Sequence, residues 1–173
     1  MGKKIVLQNV QCSFPSVFRP NTKFGPDGKR EITLLLNKTE HQSTIKQIEG
    51  YIQQMLGRVG NSSSVNICFK DGDMSGRDEN FNHYTVKATN SDPILVVDGR
   101  KRELTEYDVE ITGGDWVNAV IDLYSYNQDF GSGVACKIIA VQYIKKGEFV
   151  KQSAIDSFNV FDIDGEPSAF DDF

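Results

Sequence analysis

The densest run of potential ligands in the sequence is Asp71-Gly72-Asp73-Met74-Ser75-Gly76-Arg77-Asp78-Glu79. Oxygen donors at its first, third and fifth positions, a glycine at the sixth and Glu79 at the ninth imitate a calcium loop. The twelfth position, where such a loop needs a bidentate glutamate, is Asn82, and the preceding residues alternate like a strand instead of winding as a helix. A polar loop between strands is the better reading. Asp71, Asp73 and Glu79 could also serve a metal-dependent nuclease, but such a centre draws a further carboxylate or lysine from elsewhere in the fold, and nothing marks one here. Cys12, Cys68 and Cys136, with His41 and His83, lack the short ligand spacing of a zinc site, so the thiols are expected to be buried and reduced. No G-x-x-x-x-G-K-[ST] phosphate loop, G-x-S-x-G elbow or H-E-x-x-H pair occurs. The chain is expected to be no enzyme and to hold no metal or cofactor.

Binding chemistry is better represented. Across Asp115 to Tyr126, Val117, Ala119, Ile121 and Leu123 form one apolar face, and Trp116, Asn118, Val120, Asp122, Tyr124 and Tyr126 form the other. A strand surface that mixes polar groups with three large aromatics suits stacking of unpaired bases, at roughly 1–3 kcal/mol per base. It equally suits a subunit interface, or a face covered by a loop or helix. Cations that could flank it are Arg19, Lys23, Lys29 and Arg30, then Lys70 and Arg77, then Lys87, then Arg100-Lys101-Arg102. Each alone reads as a solvated charge; interleaving with Phe18, Phe24 and Tyr84 raises the group above that reading. The expected contact set for single-stranded DNA is Phe18, Arg19, Lys23, Lys29, Arg30, Lys70, Arg77, Tyr84, Lys87, Trp116, Tyr124 and Tyr126.

The net charge of −5 opposes that expectation until it is divided along the chain. Six of the 24 acidic residues, and none of the 19 Lys and Arg, fall after Lys151, so the first 151 residues carry a net charge of +1. From there Phe158, Phe161, Phe170 and Phe173 punctuate an acidic run, and Gly165-Glu166-Pro167-Ser168 breaks any regular element. Such a segment cannot bury enough surface to offset its ordering entropy, so a mobile tail is expected over 153–173. A tethered polyanion competes with DNA for a cationic groove at high effective concentration. Once displaced, Phe170-Asp171-Asp172-Phe173 could dock in a basic-rimmed pocket of another protein.

The elements that must position these residues are mostly strands. Ile5 to Phe14 and Arg30 to Leu36 read as strands about a loop with Gly25-Pro26-Asp27-Gly28 as its turn. Thr39-Glu40-His41-Gln42 resembles a capping box with Thr39 as N-cap. Ile45, Ile48, Ile52, Met55, Leu56 and Val59 then recur at helical spacing over 40–58. Val65 to Phe69, Tyr84 to Thr89 and Pro93 to Val97 return to strand character. Asp115 to Tyr126 and Gly133 to Lys145 read as long strands joined through Asn127 to Ser132. One helix among several strands points to a barrel or sandwich of residues 1–152. No apolar run is long enough to span a bilayer and nothing marks export, so a cytosolic location is expected.

Leu7 to Phe18 (LQNVQCSFPSVF), Lys70 to Asp73 (KDGD), Asp92 to Gly99 (DPILVVDG) and above all Trp116 to Gly147 resemble phage-encoded single-stranded-DNA-binding proteins with an OB fold. The acidic end is similar to the tails of bacterial and phage single-strand binders. The resemblance implies a mainly β, OB-like Greek-key barrel with one long helix. It also implies sequence-tolerant binding during phage replication or recombination without catalysis, and recruitment of replication or recombination proteins by the tail. A homodimer through the aromatic strand face or the tail is a further expectation. The rivals are a β-barrel interaction or structural phage protein that never touches DNA, and the nuclease built on Asp71, Asp73 and Glu79.

Overall fold

A computed structural model describes residues 2–23, 28–59, 65–129 and 131–149. Phe24, the turn Gly25-Pro26-Asp27 and the tail 153–173, with its boundary at 152, lie outside the described residues. Strand β1 spans Lys3–Ser16, β2 Arg30–Asn37, β3 Val65–Ile67, β4 Phe69–Asp71, β5 His83–Asn90, β6 Leu95–Val97, β7 Trp116–Gln128 and β8 Gly131–Lys145; helix α1 spans Gln42–Val59. β1 pairs antiparallel with β7 and β2, and β2 with β5. β7 pairs with β8, and β8 meets β5 in parallel at Lys137 and Thr89. Those five strands therefore close into a ring, the mainly β, OB-like barrel expected from the sequence. Closure removes the edges that an open sheet would expose.

Period-two alternation decides which side chains enter the ring. Leu7, Val10, Ile32, Leu34, Leu36, Val86, Ala88, Val117, Ile121, Leu123 and Ile138 fill it. Helix α1 adds Ile45, Ile48, Ile52 and Met55 to the same core and packs against β7 and β8. Its start differs from the expected capping box. Asn37, not Thr39, accepts from the amides of Thr39 and Glu40 at 2.8 and 3.0 Å, and the His41 carbonyl takes the first helical bond from Ile45. These bonds close a turn ahead of the helix, which opens at Gln42.

Val65 to Phe69, expected as one strand, is two. β3 pairs in parallel with β8, whereas β4 pairs antiparallel with β5. Cys68 is the crossing point: its amide donates to the Val134 carbonyl at 3.0 Å and its carbonyl accepts from Lys87 at 3.1 Å. A Cβ at Gly133 would overlap the Asn66 carbonyl, so β3 approaches this closely only because residue 133 is glycine. The β7–β8 pairing continues to Gln128 and Gly131, so their connection is shorter than the six residues expected. Among the described residues, no helix is long and apolar enough to cross a membrane.

Candidate nucleic-acid interface

The outward faces of β2 and β5, the β3–β4 crossover and the ends of β1 and β7 enclose a cleft of about 460 Å³. Strand β5 supplies Thr85, Lys87 and Thr89 at period two, β2 supplies Thr33, and the crossover supplies Cys68 and Lys70. Arg77 and Asn80 close one end, and Tyr126 comes from β7 as it enters the hairpin. Lys70, Arg77 and Lys87 are the only charged side chains among the described lining residues; no carboxylate joins them. The nearly neutral body therefore does hold a cationic concavity, because its acidic residues are placed elsewhere. Two of the three cations have a carboxylate just outside. Lys87 lies 4.0 Å from Glu31, and Arg77 lies 3.3 Å from Glu79.

Phe14 is the largest apolar surface at this site. It is 55% exposed, its backbone sits at φ 49, and Arg77 lies over its ring at 4.7 Å. A bulky residue in the left-handed region is costly. The β1–β2 register breaks between Ser13 and Ser16, and this bulge re-aims Phe14 out of the strand's alternation and into the cleft. An aromatic face under a guanidinium, beside lysines, is a surface for stacking a base and holding its phosphate.

A second depression adjoins the first, with Thr89 lining both. It contains Lys29, Lys137 and Tyr124, opposed by Asp92 and Asp122. Mixed charge there makes it a weaker phosphate path than the all-cation cleft.

The structure thus brings Lys70, Arg77, Lys87 and Tyr126 together, with Tyr124 and Lys29 next door. Arg30 begins β2 opposite Asn90. The remaining expected residues are placed apart. Phe18, Arg19 and Lys23 line a different hollow with Glu106 and Glu110, where Arg19 grips Glu106 through two bonds of 2.6 and 2.7 Å. Tyr84 packs on the core side, stacked on Phe69 at 4.6 Å between centroids, because its parity in β5 is opposite to that of Lys87. Trp116 is at the far end of β7, with Lys145 over its ring at 5.7 Å; a Cβ at Gly147 would strike its indole nitrogen. The aromatic face read along β7 is therefore divided among separate surroundings. Arg100-Lys101-Arg102 is a turn tip organised by the Asp98 carboxylate, which accepts from the amides of Arg100 and Arg102.

Sequence reasoning left Phe14, Thr33, Thr85, Thr89 and Lys137 out of the contact set. The alternation of Thr85, Lys87 and Thr89 was a readable signal for one outward face. The bulge that turns Phe14 was not.

The carboxylates of the calcium-like run have a different employment. Lys38 donates to Asp71 at 2.7 Å and to Asp73 at 2.6 Å, so an ammonium fills the position between them. The contact holds both carboxyls below their ordinary range. Asp73 also accepts from the Asn82 amide at 2.7 Å, closing the loop. Among the described residues, no group of three or more His, Cys, Asp or Glu is arranged to hold a metal.

A family model described as "Enterobacter phage Enc34, ssDNA-binding protein" matches residues 3–171. A protein designated p50 of Acyrthosiphon pisum secondary endosymbiont phage 1 is 27% identical over 171 residues, covering 92% of each chain. The C-terminally truncated single-stranded-DNA-binding protein of bacteriophage Enc34 superposes with a TM-score of 0.75 at 26% identity, covering 85% of this chain and 88% of that one. The same phage protein solved with single-stranded DNA gives 0.74 at 27% identity, covering 84% and 88%. The bacteriophage T7 single-stranded DNA binding protein gp2.5 shares the fold at a TM-score of 0.65 and 16% identity, covering 84% of this chain and 93% of that one.

Proposed function

Because the chain belongs to the Enc34-type family of phage single-stranded-DNA-binding proteins, we propose that it binds unpaired DNA in the cleft of Lys70, Arg77 and Lys87. The observation that carries this reading is the cleft itself: three cations with no carboxylate among its described lining residues, and exposed Phe14 beside them. Phosphates run along the cations, and bases stack on Phe14 and Tyr126, with Tyr124 extending the path. The phage Enc34 and T7 proteins named above are described as single-stranded-DNA-binding proteins, and catalysis has no part in the proposal. Fluorescence anisotropy with a ~30-nucleotide oligo-dT, long enough for a few OB-fold sites, tests it. A protein that leaves the oligonucleotide free in dilute buffer ends the proposal.

The stacking component has its own test. Phe14→Ala and Tyr126→Ala are each expected to weaken oligo-dT binding by about 1–3 kcal/mol while leaving the salt dependence unchanged. Tyr84→Ala, whose ring faces the core, is the contrast: it should lower stability instead. Equal losses of affinity at all three positions would show that stability, not stacking, is being read.

We further propose that the protein serves phage replication or recombination, and that residues 153–173 both compete for the cleft and recruit other proteins. The support is compositional: six carboxylates without a cation after Lys151, and the terminal run Phe170-Asp171-Asp172-Phe173. Removing 153–173 is expected to tighten oligo-dT binding several-fold at low salt, and the difference should shrink as salt screens the competition. Titration of the full and shortened chains checks this; identical affinities at low salt would eliminate the competing tail. A homodimer, if formed, would use the tail of one copy against the cleft of another, since the aromatic strip on β7 is divided.

A further inference from the structure

The cleft has a chemical feature that DNA binding does not use. Cys68 sits at the crossover between β3 and β4, half-buried, and Cys136 lies on β8, buried; both line the cleft and both are free thiols. The backbone fixes their approach, because the Cys68 amide is bonded to the Val134 carbonyl two residues before Cys136. Both thiols face the same cleft, Cys68 partly open to it and Cys136 buried behind it.

We infer that Cys68 and Cys136 form a modification site for small disulfides, with Cys68 the attacking sulfur and Cys136 the resolving one. Cys68 is the sulfur a dissolved disulfide can reach and Cys136 the one enclosed behind it; interaction with its neighbour also holds the Cys68 thiol below its ordinary range in spite of burial and pushes Cys136 up. A partly accessible sulfur with thiolate character beside a second thiol is the arrangement that thiol–disulfide exchange requires. Cys12 is the internal contrast. It is fully buried, its thiol is pushed up to about 12 by burial and then by the Asp115 carboxylate, and no second cysteine stands by it.

The steps balance with glutathione disulfide as oxidant. The Cys68 thiolate attacks one sulfur of that disulfide, forming a Cys68–glutathione bond and releasing one glutathione thiolate. That thiolate takes the Cys136 proton. The Cys136 sulfur then attacks the Cys68 sulfur, the second glutathione leaves as a thiolate and is protonated by solvent, and a Cys68–Cys136 disulfide remains. The protein has lost two electrons and the oxidant has gained them. The intermediate adduct is bulky and anionic and occupies the cleft that Lys70 and Lys87 line, where it excludes phosphate; resolution by Cys136 clears the cleft.

The test uses the full chain with glutathione disulfide, followed by intact mass and non-reducing peptide mapping. Wild type is expected to lose two hydrogens and yield a linked Cys68–Cys136 peptide, with Cys12 unmodified. Cys136→Ser is expected to stop at the glutathione adduct on Cys68 and to lose oligo-dT affinity by about tenfold, the equivalent of ~1.4 kcal/mol. With nine-tenths of the protein bound to oligo-dT, wild-type thiolation is expected to slow by about tenfold, since only the open fraction reacts. Untreated protein titrated in parallel reports DNA binding separately, so failure of the cleft as a DNA site is distinguishable from failure of the thiol chemistry. Modification of Cys12 as fast as Cys68, or a wild-type adduct that persists without a Cys68–Cys136 link, overturns the inference. A Cys68 rate untouched by bound oligonucleotide overturns its placement in the DNA path.

Discussion

Replacing Lys70, Arg77 and Lys87 together with alanine is expected to reduce oligo-dT affinity by about 500-fold at ~50 mM salt and about 30-fold at ~200 mM. The size follows from counterion release. Each phosphate neutralised on a single strand contributes about 0.7 to the slope of log K against log salt, which is roughly an eightfold effect at ~50 mM and threefold at ~200 mM. Three independent contacts multiply to the figures above and should flatten the slope by about 2. Arg19→Ala is the control. Its guanidinium is held by Glu106 in another hollow, and the slope should stay where it was. Anisotropy titrations at four or five salt concentrations measure both quantities, with circular dichroism confirming the fold. An unchanged slope in the triple variant would falsify the assignment of the cleft as the phosphate path.

The largest expected loss of stability comes from Asp115→Ala. Asp115 has no solvent exposure, and its carboxylate accepts from the Thr112 amide at 2.9 Å, the Thr112 hydroxyl at 3.4 Å, Lys146 Nζ at 3.1 Å and the Gly147 amide at 3.2 Å. Removing it leaves these donors without their acceptor. Breaking a buried pair from one side costs about 3–5 kcal/mol; the lower end is expected because Lys146, 57% exposed, can return to water. About 3 kcal/mol corresponds to a fall of roughly 6–12 °C in Tm for a chain of this size. The contact with Asp115 raises the Lys146 pKa above its ordinary value. Its contribution is therefore fully present below the ordinary lysine range and fades as pH climbs through the folded-state value. Thermal or urea denaturation at neutral pH measures the loss, and a change under 1 kcal/mol would show that the network is dispensable. Asp115 also receives residues 146 and 147 where the chain leaves β8, while Gln11 donates to the Glu148 carbonyl at 3.0 Å. The same contacts thus fix where the C-terminal segment departs. Oligo-dT binding should survive in the variant below its melting point, because the cleft does not include this corner.

Legibility differed between fold and site. Strand parity carried the core: Val117, Ile121 and Leu123 were readable as one inward face and are buried together. The helical repeat from Ile45 to Met55 was equally plain, although the helix begins only at Gln42, after a turn closed by Asn37. Parity also told that Trp116, Tyr124 and Tyr126 share the outward side of β7. It did not tell that one long strand of a closed ring passes several different neighbours, so that Trp116 ends beside Gly147 and Tyr126 inside the cleft. Charge counting along the chain separated a near-neutral body from an acidic end, and no count could show that the carboxylates avoid one hollow.

By itself, then, the sequence determined what depends on neighbours along the chain: alternation, amphipathic period, turn chemistry and the gathering of acidic residues at one end. Those signals are local because side-chain direction follows from backbone periodicity. Only the tertiary structure decided which cations share a cleft, that a bulge turns Phe14 into it, that Lys38 occupies the space between Asp71 and Asp73, and that Cys68 and Cys136 face the same cleft. Each of these joins residues distant in sequence through strand register and ring closure, and pairing across a barrel is set by the summed packing of the whole core, which no short window of residues contains.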